Sequence, residues 1–114
     1  MSATFSPQSQ RLDGQKALIT GATSGLGRAI AQTLAQEGAQ VLIHGRDPDR
    51  GADTVSAIAA SGGTARFVAA DLGSHADVLR LAQEVGDIDI LVNNAGFVVF
   101  GATATVPVES LRLR

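Results

Sequence analysis

Short apolar runs alternate regularly along the chain with segments of helical period. The runs span residues 16–20, 40–44, 65–70 and 89–92, so they begin about 24 residues apart. Each is almost continuously apolar, which is typical of a strand that is covered on both faces of a parallel sheet. The repeated order of strand and helix predicts an α/β fold in which right-handed crossovers connect parallel strands.

Capping residues and apolar spacing predict three helices between these runs. Gly38 is placed to end the first helix. The second begins at Asp47 and Pro48, an N-cap followed by proline at the first helical position. The third begins at Ser74. The positions expected to face the sheet are Leu26, Ile30 and Leu34 in the first helix, Val55, Ile58 and Ala59 in the second, and Val78, Leu81, Ala82 and Val85 in the third.

Composition excludes several classes of chemistry. The chain has 114 residues, which is enough for one domain, and it contains neither cysteine nor tyrosine. Disulfides, thiol nucleophiles and cysteine-bound zinc are therefore excluded, and the two histidines have no cluster of further metal ligands beside them. The net charge of −2 and the scattered basic residues give no electrostatic footprint for nucleic acid.

The first strand leads into a glycine-rich turn that opens the first helix. Residues 20–27 read TGATSGLG. A pyrophosphate is bound by free main-chain N–H groups and by the positive end of a helix dipole, and glycines let it approach them closely. A Walker phosphate loop does not fit, because Lys16 precedes the turn instead of following its glycines. A glycine-rich turn without a ligand remains the other interpretation of this segment.

The end of the second strand indicates which nucleotide such a site prefers. In dinucleotide-binding folds an acidic residue there binds the ribose 2′-hydroxyl of NAD. Here Gly45 occupies that position and Arg46 follows it. A guanidinium suits a 2′-phosphate, which favours NADP(H) over NAD(H).

Three elements in order, at residues 20–27 (TGxxxGxG), at Asp71 and at residues 93–96 (NNAG), resemble the short-chain dehydrogenase/reductase family. The resemblance covers residues 11–101 and is to the N-terminal, cofactor-binding half of the single-domain type. It implies a Rossmann-type, doubly wound parallel sheet, here with about four strands in the order 3-2-1-4. In the family, this half binds a nicotinamide dinucleotide for hydride transfer between the cofactor and a carbonyl or alcohol.

The resemblance also implies a role for each matching residue. The pyrophosphate and its ribose would be lined by Gly21, Thr23, Ser24, Gly25, Leu26 and Gly27. Asp71 and Leu72 would flank the adenine, with the Asp71 carboxylate accepting from the adenine amino group. Asn93, Ala95 and Gly96 would lie beside the nicotinamide ribose. For Asn93 a second role stays open, in which its amide ties adjacent strands together.

The sequence departs from the family pattern in its catalytic residues. The resemblance implies a tyrosine and a lysine in a YxxxK motif, with a serine and a further asparagine, all downstream of NNAG. The chain has no tyrosine, and its one lysine, Lys16, lies in the first strand. We therefore expect no catalytic residue and no turnover by this chain. The alternative is a dinucleotide-binding or partner-docking module that never had an enzymatic role.

The same reasoning predicts how the chain is organised and where it resides. The polar residues 1–10 are expected to form a flexible segment. The dinucleotide-binding half-domain is expected to span residues 11–101. A tail follows at residues 102–114, with a helix expected to begin near Val106. No apolar stretch approaches about twenty residues, so we expect a cytoplasmic protein.

The strand at residues 88–92 is expected to be an exposed apolar edge through which chains self-associate.

Overall fold

The predicted alternation of strands and helices is present in the structure, a computed structural model that describes residues 11–95 and the backbone of residues 112–113. The strands are Lys16–Ile19 (β1), Gln40–Gly45 (β2), Thr64–Ala69 (β3), Asp87–Ile88 (β4), Ile90–Val92 (β5) and Arg112–Leu113 (β6). The helices are Gly25–Gln36 (α1), Pro48–Ala60 (α2) and His75–Val85 (α3). The segment at residues 1–10 and most of the tail, which the sequence assigns to separate regions, lie outside the described residues.

The main sheet has four parallel strands in the order β3-β2-β1-β5. This confirms the predicted order, since β5 is the fourth strand of the sequence analysis. At its centre Leu18 of β1 lies between Leu42 of β2 and Leu91 of β5. Right-handed crossovers place α1 and α2 on one face and α3 on the other, so successive residues of β1 enter different cores. Leu18 belongs to the cluster under α3, whereas Ile19 belongs to the cluster under α1 and α2.

The strand predicted at residues 88–92 is not continuous. Asp89 interrupts it: its N–H donates to the Lys16 carbonyl at 2.8 Å, and its Oδ2 accepts from the Lys16 N–H at 2.8 Å. Because a side-chain oxygen replaces a main-chain acceptor, the chain bends at this point. The preceding strand β4 pairs with β6, with Asp87 opposite Arg112. The prediction that a helix runs through the tail is therefore wrong at residues 112–113, which form a strand.

The helix faces agree with the sequence in α3 and differ in α1. Val78, Leu81, Ala82 and Val85 are all buried, as predicted. In α1 the buried residues are Gly27, Ala31 and Ala35, whereas Leu26 is 70% exposed and Ile30 and Leu34 are half-buried. The predicted stripe is therefore wrong at Leu26, whereas Ile30 and Leu34 pack against the core cluster under α1 and α2. Small side chains occupy the line of closest approach to the sheet, and the larger apolar residues lie at its flank.

In α2 the structure confirms the predicted first residues of the helix and part of the predicted buried face. The Asp47 carboxylate accepts from the Asp49 N–H at 2.9 Å and caps the helix, as predicted. Ile58 is buried and Val55 is half-buried, but Ala59 is exposed. Gly51 and Thr54 take its place against the sheet. Within the described ranges, no helix is long and apolar enough to cross a membrane.

Candidate functional site

A cleft of about 380 Å³ opens at the carboxyl ends of β1, β2 and β3. This is the edge at which open parallel sheets bind ligands, because the crossovers diverge there. Its lining comes from the glycine-rich turn, from the end of β2 with the start of α2, and from the segment that follows β3. The lining residues are Gly21, Thr23, Ser24, His44, Gly45, Arg46, Asp47, Arg50, Ala70, Asp71, Leu72 and Ala95.

The glycine-rich turn presents the start of α1 to this cleft. Gly21 and Gly25 have φ angles of +63° and +57°, in the left-handed region that glycine tolerates without strain. Ser24 is the N-cap residue, yet its side chain makes no capping hydrogen bond. The first turn of α1 contains no acidic residue. Since first-turn N–H groups have no acceptor within a helix, this end of α1 is suited to an anion.

Asn94 fixes the turn from the side of β5. Its Nδ2 donates to the Gly21 carbonyl at 2.9 Å, and its N–H donates to the Thr20 hydroxyl at 3.1 Å. The Ala95 N–H donates to the same hydroxyl at 3.1 Å. A side chain on Gly27 would overlap both the Gly21 carbonyl and the Asn94 amide. The sequence analysis considered this structural tie for Asn93, but the structure assigns it to Asn94 and leaves Asn93 exposed.

His44 joins the turn to the end of β3. The side chain lies within a buried part of β2 and is 4% exposed. Its Nδ1 accepts from the Gly21 N–H at 3.0 Å, and its Nε2 lies 2.9 Å from the Ala70 carbonyl. Burial lowers the pKa of His44 below its ordinary value, and the nearby Arg46 charge acts in the same direction. From the sequence, neither histidine was expected to have a functional role, although a histidine within an otherwise apolar strand is a signal that points to one.

Positive charge lies at the end of β2 and in the first turn of α2, where both segments line the cleft. Arg46 and Arg50 are both exposed, and Arg50 Nε lies 3.8 Å from Asp47 Oδ2. Arg46 was predicted from the sequence, whereas Arg50 was not. Arg50 lies in the first turn of α2, which places it at the same cleft. The ion pair at this distance is solvent-exposed and therefore weak. Both guanidinium groups are thus accessible to an anionic ligand in the cleft.

Asp71 and Leu72 form the floor beyond β3. Asp71 is exposed, and its Oδ1 accepts from the Gly73 N–H at 2.9 Å, which shapes the turn into α3. Its own N–H donates to Asp77 Oδ2 at 2.8 Å. Leu72 is 6% exposed and packs in the core under α3 while also lining the cleft. An apolar side chain beside a carboxylate is a suitable floor for a flat heterocycle that carries a hydrogen-bond donor.

The cleft therefore brings together seven of the twelve residues predicted from the sequence. These are Gly21, Thr23, Ser24, Arg46, Asp71, Leu72 and Ala95. Gly25, Leu26, Gly27 and Asn93 do not line it, and Gly96 lies outside the described residues. In the ranges 11–95 and 112–113 no group of three or more histidine or acidic side chains is arranged to hold a metal ion.

A parallel sheet of this order, with a glycine-rich turn opening its first helix, defines the Rossmann-type class of α/β domains. The chain belongs to the short chain dehydrogenase family, because the sequence profile of that family matches residues 15–112. This confirms the resemblance on which the predicted fold and site residues depend.

Individual relatives agree with this membership. The 3beta-hydroxysteroid dehydrogenase of Mediterraneibacter gnavus is 44% identical over 100 residues, which cover 84% of this chain and 36% of that protein. The rhamnolipids biosynthesis 3-oxoacyl-[acyl-carrier-protein] reductase of Pseudomonas aeruginosa is 44% identical over 102 residues, with 86% and 40% covered. The crystal structure of a metagenomic short-chain oxidoreductase in complex with NADP is 40% identical with a TM-score of 0.73, covering 75% of this chain and 41% of that one. The chain thus spans about two fifths of the length of these relatives.

Proposed function

We propose that the chain binds a nicotinamide adenine dinucleotide in the cleft and prefers NADP(H) to NAD(H). By itself the chain does not catalyse oxidation or reduction of a substrate. The main support for this proposal is that one cleft contains both the start of α1, where the Ser24 side chain makes no capping hydrogen bond, and two accessible guanidinium groups. The first suits a pyrophosphate and the second suits a further phosphate. A relative of the same fold has been solved in complex with NADP.

The residues present fit the dinucleotide along its length. Pyrophosphate oxygens would accept from the N–H groups at the start of α1, where no carboxylate of the first turn repels them. The adenine would lie over Leu72, and Asp71 Oδ2 would accept from its amino group while Oδ1 keeps its bond to Gly73. Ala95, and Asn93 beside it, would approach the nicotinamide ribose.

The preference for NADP(H) depends on the end of β2. Gly45 provides no carboxylate that would bind a ribose 2′-hydroxyl or repel a 2′-phosphate, and Arg46 follows it at the edge of the cleft. A guanidinium forms short, charge-assisted hydrogen bonds with phosphate oxygens. NADPH should therefore bind more tightly than NADH.

Calorimetric titration of the full chain with NADPH and with NADH tests the proposal. Arg46→Ala should weaken NADPH binding by about 1.5–3 kcal/mol, the value of a hydrogen bond to a charged group, and leave NADH binding nearly unchanged. Arg11→Ala is the matched control, since Arg11 is exposed and does not line the cleft. Equal affinity of the wild-type chain for both nucleotides would refute the preference, and no binding of either would refute the proposed function.

Binding should occur without catalysis. The family resemblance implies a tyrosine as the proton donor, and the chain contains none. General acid–base catalysis is worth about 10²–10⁴-fold in rate, so its loss should leave NADPH oxidation at background. Absorbance of NADPH with a panel of carbonyl compounds measures this, and oxidation that increases with the amount of rigorously purified chain would contradict it.

A further inference from the structure

The His44 imidazole makes two hydrogen bonds that only one of its forms can make. A main-chain N–H only donates, so Nδ1, which faces the Gly21 N–H at 3.0 Å, must be unprotonated. A carbonyl only accepts, so Nε2, which lies 2.9 Å from the Ala70 oxygen, must carry the proton. Both bonds therefore require the neutral imidazole with its proton on Nε2.

These bonds, together with those of the neighbouring main chain, join three segments at the edge of the sheet. The Ala22 N–H donates to the His44 carbonyl at 2.9 Å, which adds a second bond between β2 and the glycine-rich turn. The Ala70 N–H donates to the Gly45 carbonyl at 3.0 Å, which holds the end of β3 in place. The N–H groups of Gly21 and Ala22 are consequently engaged by β2. The donors that remain for an anion begin at Thr23.

We infer that His44 is a positioning residue whose neutral imidazole holds the glycine-rich turn in the shape that binds the dinucleotide pyrophosphate. Protonation of Nδ1 turns an acceptor into a donor that faces the Gly21 N–H, so the bond is lost and the turn is released. Dinucleotide binding should therefore weaken as His44 takes up a proton. The inference rests on the proposed function and adds a requirement on one side chain outside the family motif.

The surroundings of the imidazole, chiefly its burial, disfavour its protonation. Burial lowers the pKa of His44 from the ordinary 6.5, the bond to Ala70 opposes this, and the Arg46 charge lowers it further. The glycine-rich turn contributes no titratable group to the lining of the cleft. The charged groups nearby on the other elements are Arg46, Asp47 and Arg50 after β2, Asp71 after β3, and Asp77 and Arg80 of α3, which bond to the main chain of Asp71 and Ala69.

The direction of the pH effect follows from the lowered pKa. Between the unfolded value of 6.5 and the lower folded value, the unfolded chain binds more protons than the folded one. The stabilisation from neutral His44 is therefore fully present above pH 6.5 and is lost as the pH falls through the folded pKa. Affinity for the dinucleotide changes in the same direction.

The test compares NADPH affinity of the wild-type chain, His44→Asn and His44→Phe between about pH 7.5 and about pH 5.5, the range over which histidine changes charge. Asn places its Oδ1 where His places Nδ1, so it keeps an acceptor that does not titrate, whereas Phe keeps the ring without an acceptor. The 2′-phosphate itself takes up a proton near about pH 6, but it does so equally for all three proteins.

We expect His44→Asn to bind NADPH nearly as well as the wild-type chain at the upper pH and to lose less affinity on acidification. His44→Phe should bind about tenfold or more weakly at the upper pH, because the half-buried Gly21 N–H is left without its acceptor. Parallel pH curves for the wild-type chain and His44→Asn would overturn the inference, as would full affinity of His44→Phe.

A second measurement separates this inference from the proposed function. Nitrogen-15 NMR of the free chain reports the imidazole tautomer and follows the Gly21 amide during a pH titration. We expect a proton on Nε2, and a Gly21 amide signal that moves with the His44 titration at a pH below 6.5. A proton on Nδ1, or a Gly21 signal that ignores the titration, would overturn the role of His44 even if NADPH binds. Conversely, the expected spectra without any nucleotide binding would refute only the proposed function.

Discussion

At the scale of single residues, Gly45 lies at the end of β2, where the structure leaves no free space for a side chain. A Cβ atom at this position would lie 2.6 Å from Thr23 Cγ2 and 3.2 Å from Thr23 Oγ1. Any side chain there requires Thr23 to move. Thr23 and Gly45 thus act together, because the threonine of the glycine-rich turn occupies the space that an acidic residue at the end of β2 needs.

A prediction on cofactor preference follows from this contact. Gly45→Asp alone should lose NADPH binding without gaining NADH, because the new side chain displaces Thr23 and with it the turn. The double variant Gly45→Asp with Thr23→Ala should bind NADH more tightly than NADPH, since a carboxylate accepting from the ribose contributes about 1.5–3 kcal/mol. Calorimetric titration with both nucleotides measures the change.

Thr23→Ala alone is the control for this pair. It removes the clashing atoms without adding a carboxylate, so it should keep the preference for NADPH. Tight NADH binding by Gly45→Asp alone would show that Thr23 does not restrict the position.

Residues of the cleft could be predicted from the sequence where the glycine-rich motif or a strand end requires a particular residue type. They could not be predicted where the local backbone conformation decides which side chain makes the contact. Gly21, Arg46 and Asp71, which line the cleft, were predicted because a left-handed turn, a missing acid and a strand end are visible as residue types. Asn94 was missed in favour of Asn93 because the conformation after β5, not the spacing, decides which adjacent amide reaches Gly21.

At the scale of elements, α1 shows where apolar periodicity misleads. Leu26, Ile30 and Leu34 are the largest apolar residues of this helix, and the periodic pattern placed them against the sheet. The structure instead buries Ala31, at 0% exposed, and Ala35, at 7% exposed. Small side chains lie along the line where α1 contacts the sheet, whereas α3 buries Val78, Leu81 and Val85 against the other face. The side-chain volume that a contact line accepts therefore differs between helices, and apolar periodicity does not report it.

This orientation of α1 predicts opposite outcomes for two substitutions. Ala31→Leu should lower the free energy of unfolding by about 1–3 kcal/mol, because extra methylene groups overpack a filled core. Leu26→Ala should change it by no more than about 0.5 kcal/mol, as usual for an exposed position. Urea denaturation followed by circular dichroism compares the two. A large loss for Leu26→Ala with a neutral Ala31→Leu would mean that the helix faces the other way.

At the scale of the whole molecule, the sequence predicted the sheet order but not the break in its fourth strand. Apolar runs at even spacing predicted four parallel strands, and the family resemblance implied their order, which the structure confirms as β3-β2-β1-β5. The bend at Asp89 depends on a carboxylate replacing a ladder acceptor for Lys16. Such a substitution leaves no trace in hydropathy.

Self-association through the edge of this sheet stays a prediction. Among the described residues, β5 pairs with β1 on one side only, and Ile90, Leu91 and Val92 are half-buried. An apolar strand with unpaired main-chain groups is a template for pairing with another chain. Sedimentation velocity over a range of concentrations should show oligomers whose fraction increases with concentration.

A lysine at two positions shows whether β5 is responsible. Leu91→Lys should reduce the oligomer fraction, since charge blunts a strand edge. Leu26→Lys is the matched control, because it places the same charge on the exposed leucine of α1. Monomeric sedimentation of the wild-type chain at every concentration, with a sharp cooperative thermal transition, would contradict the prediction.

Chemical-shift mapping of the full chain with NADP tests most directly that the dinucleotide occupies this cleft. Addition of NADP should shift the main-chain amide signals of residues 23–27, of Arg46 and of Asp71 and Leu72, and leave those of α3 beyond its first turn unchanged. NAD at the same concentration should shift the Arg46 signal less. Shifts concentrated on α3, or no shifts at saturating NADP, would contradict binding at this site.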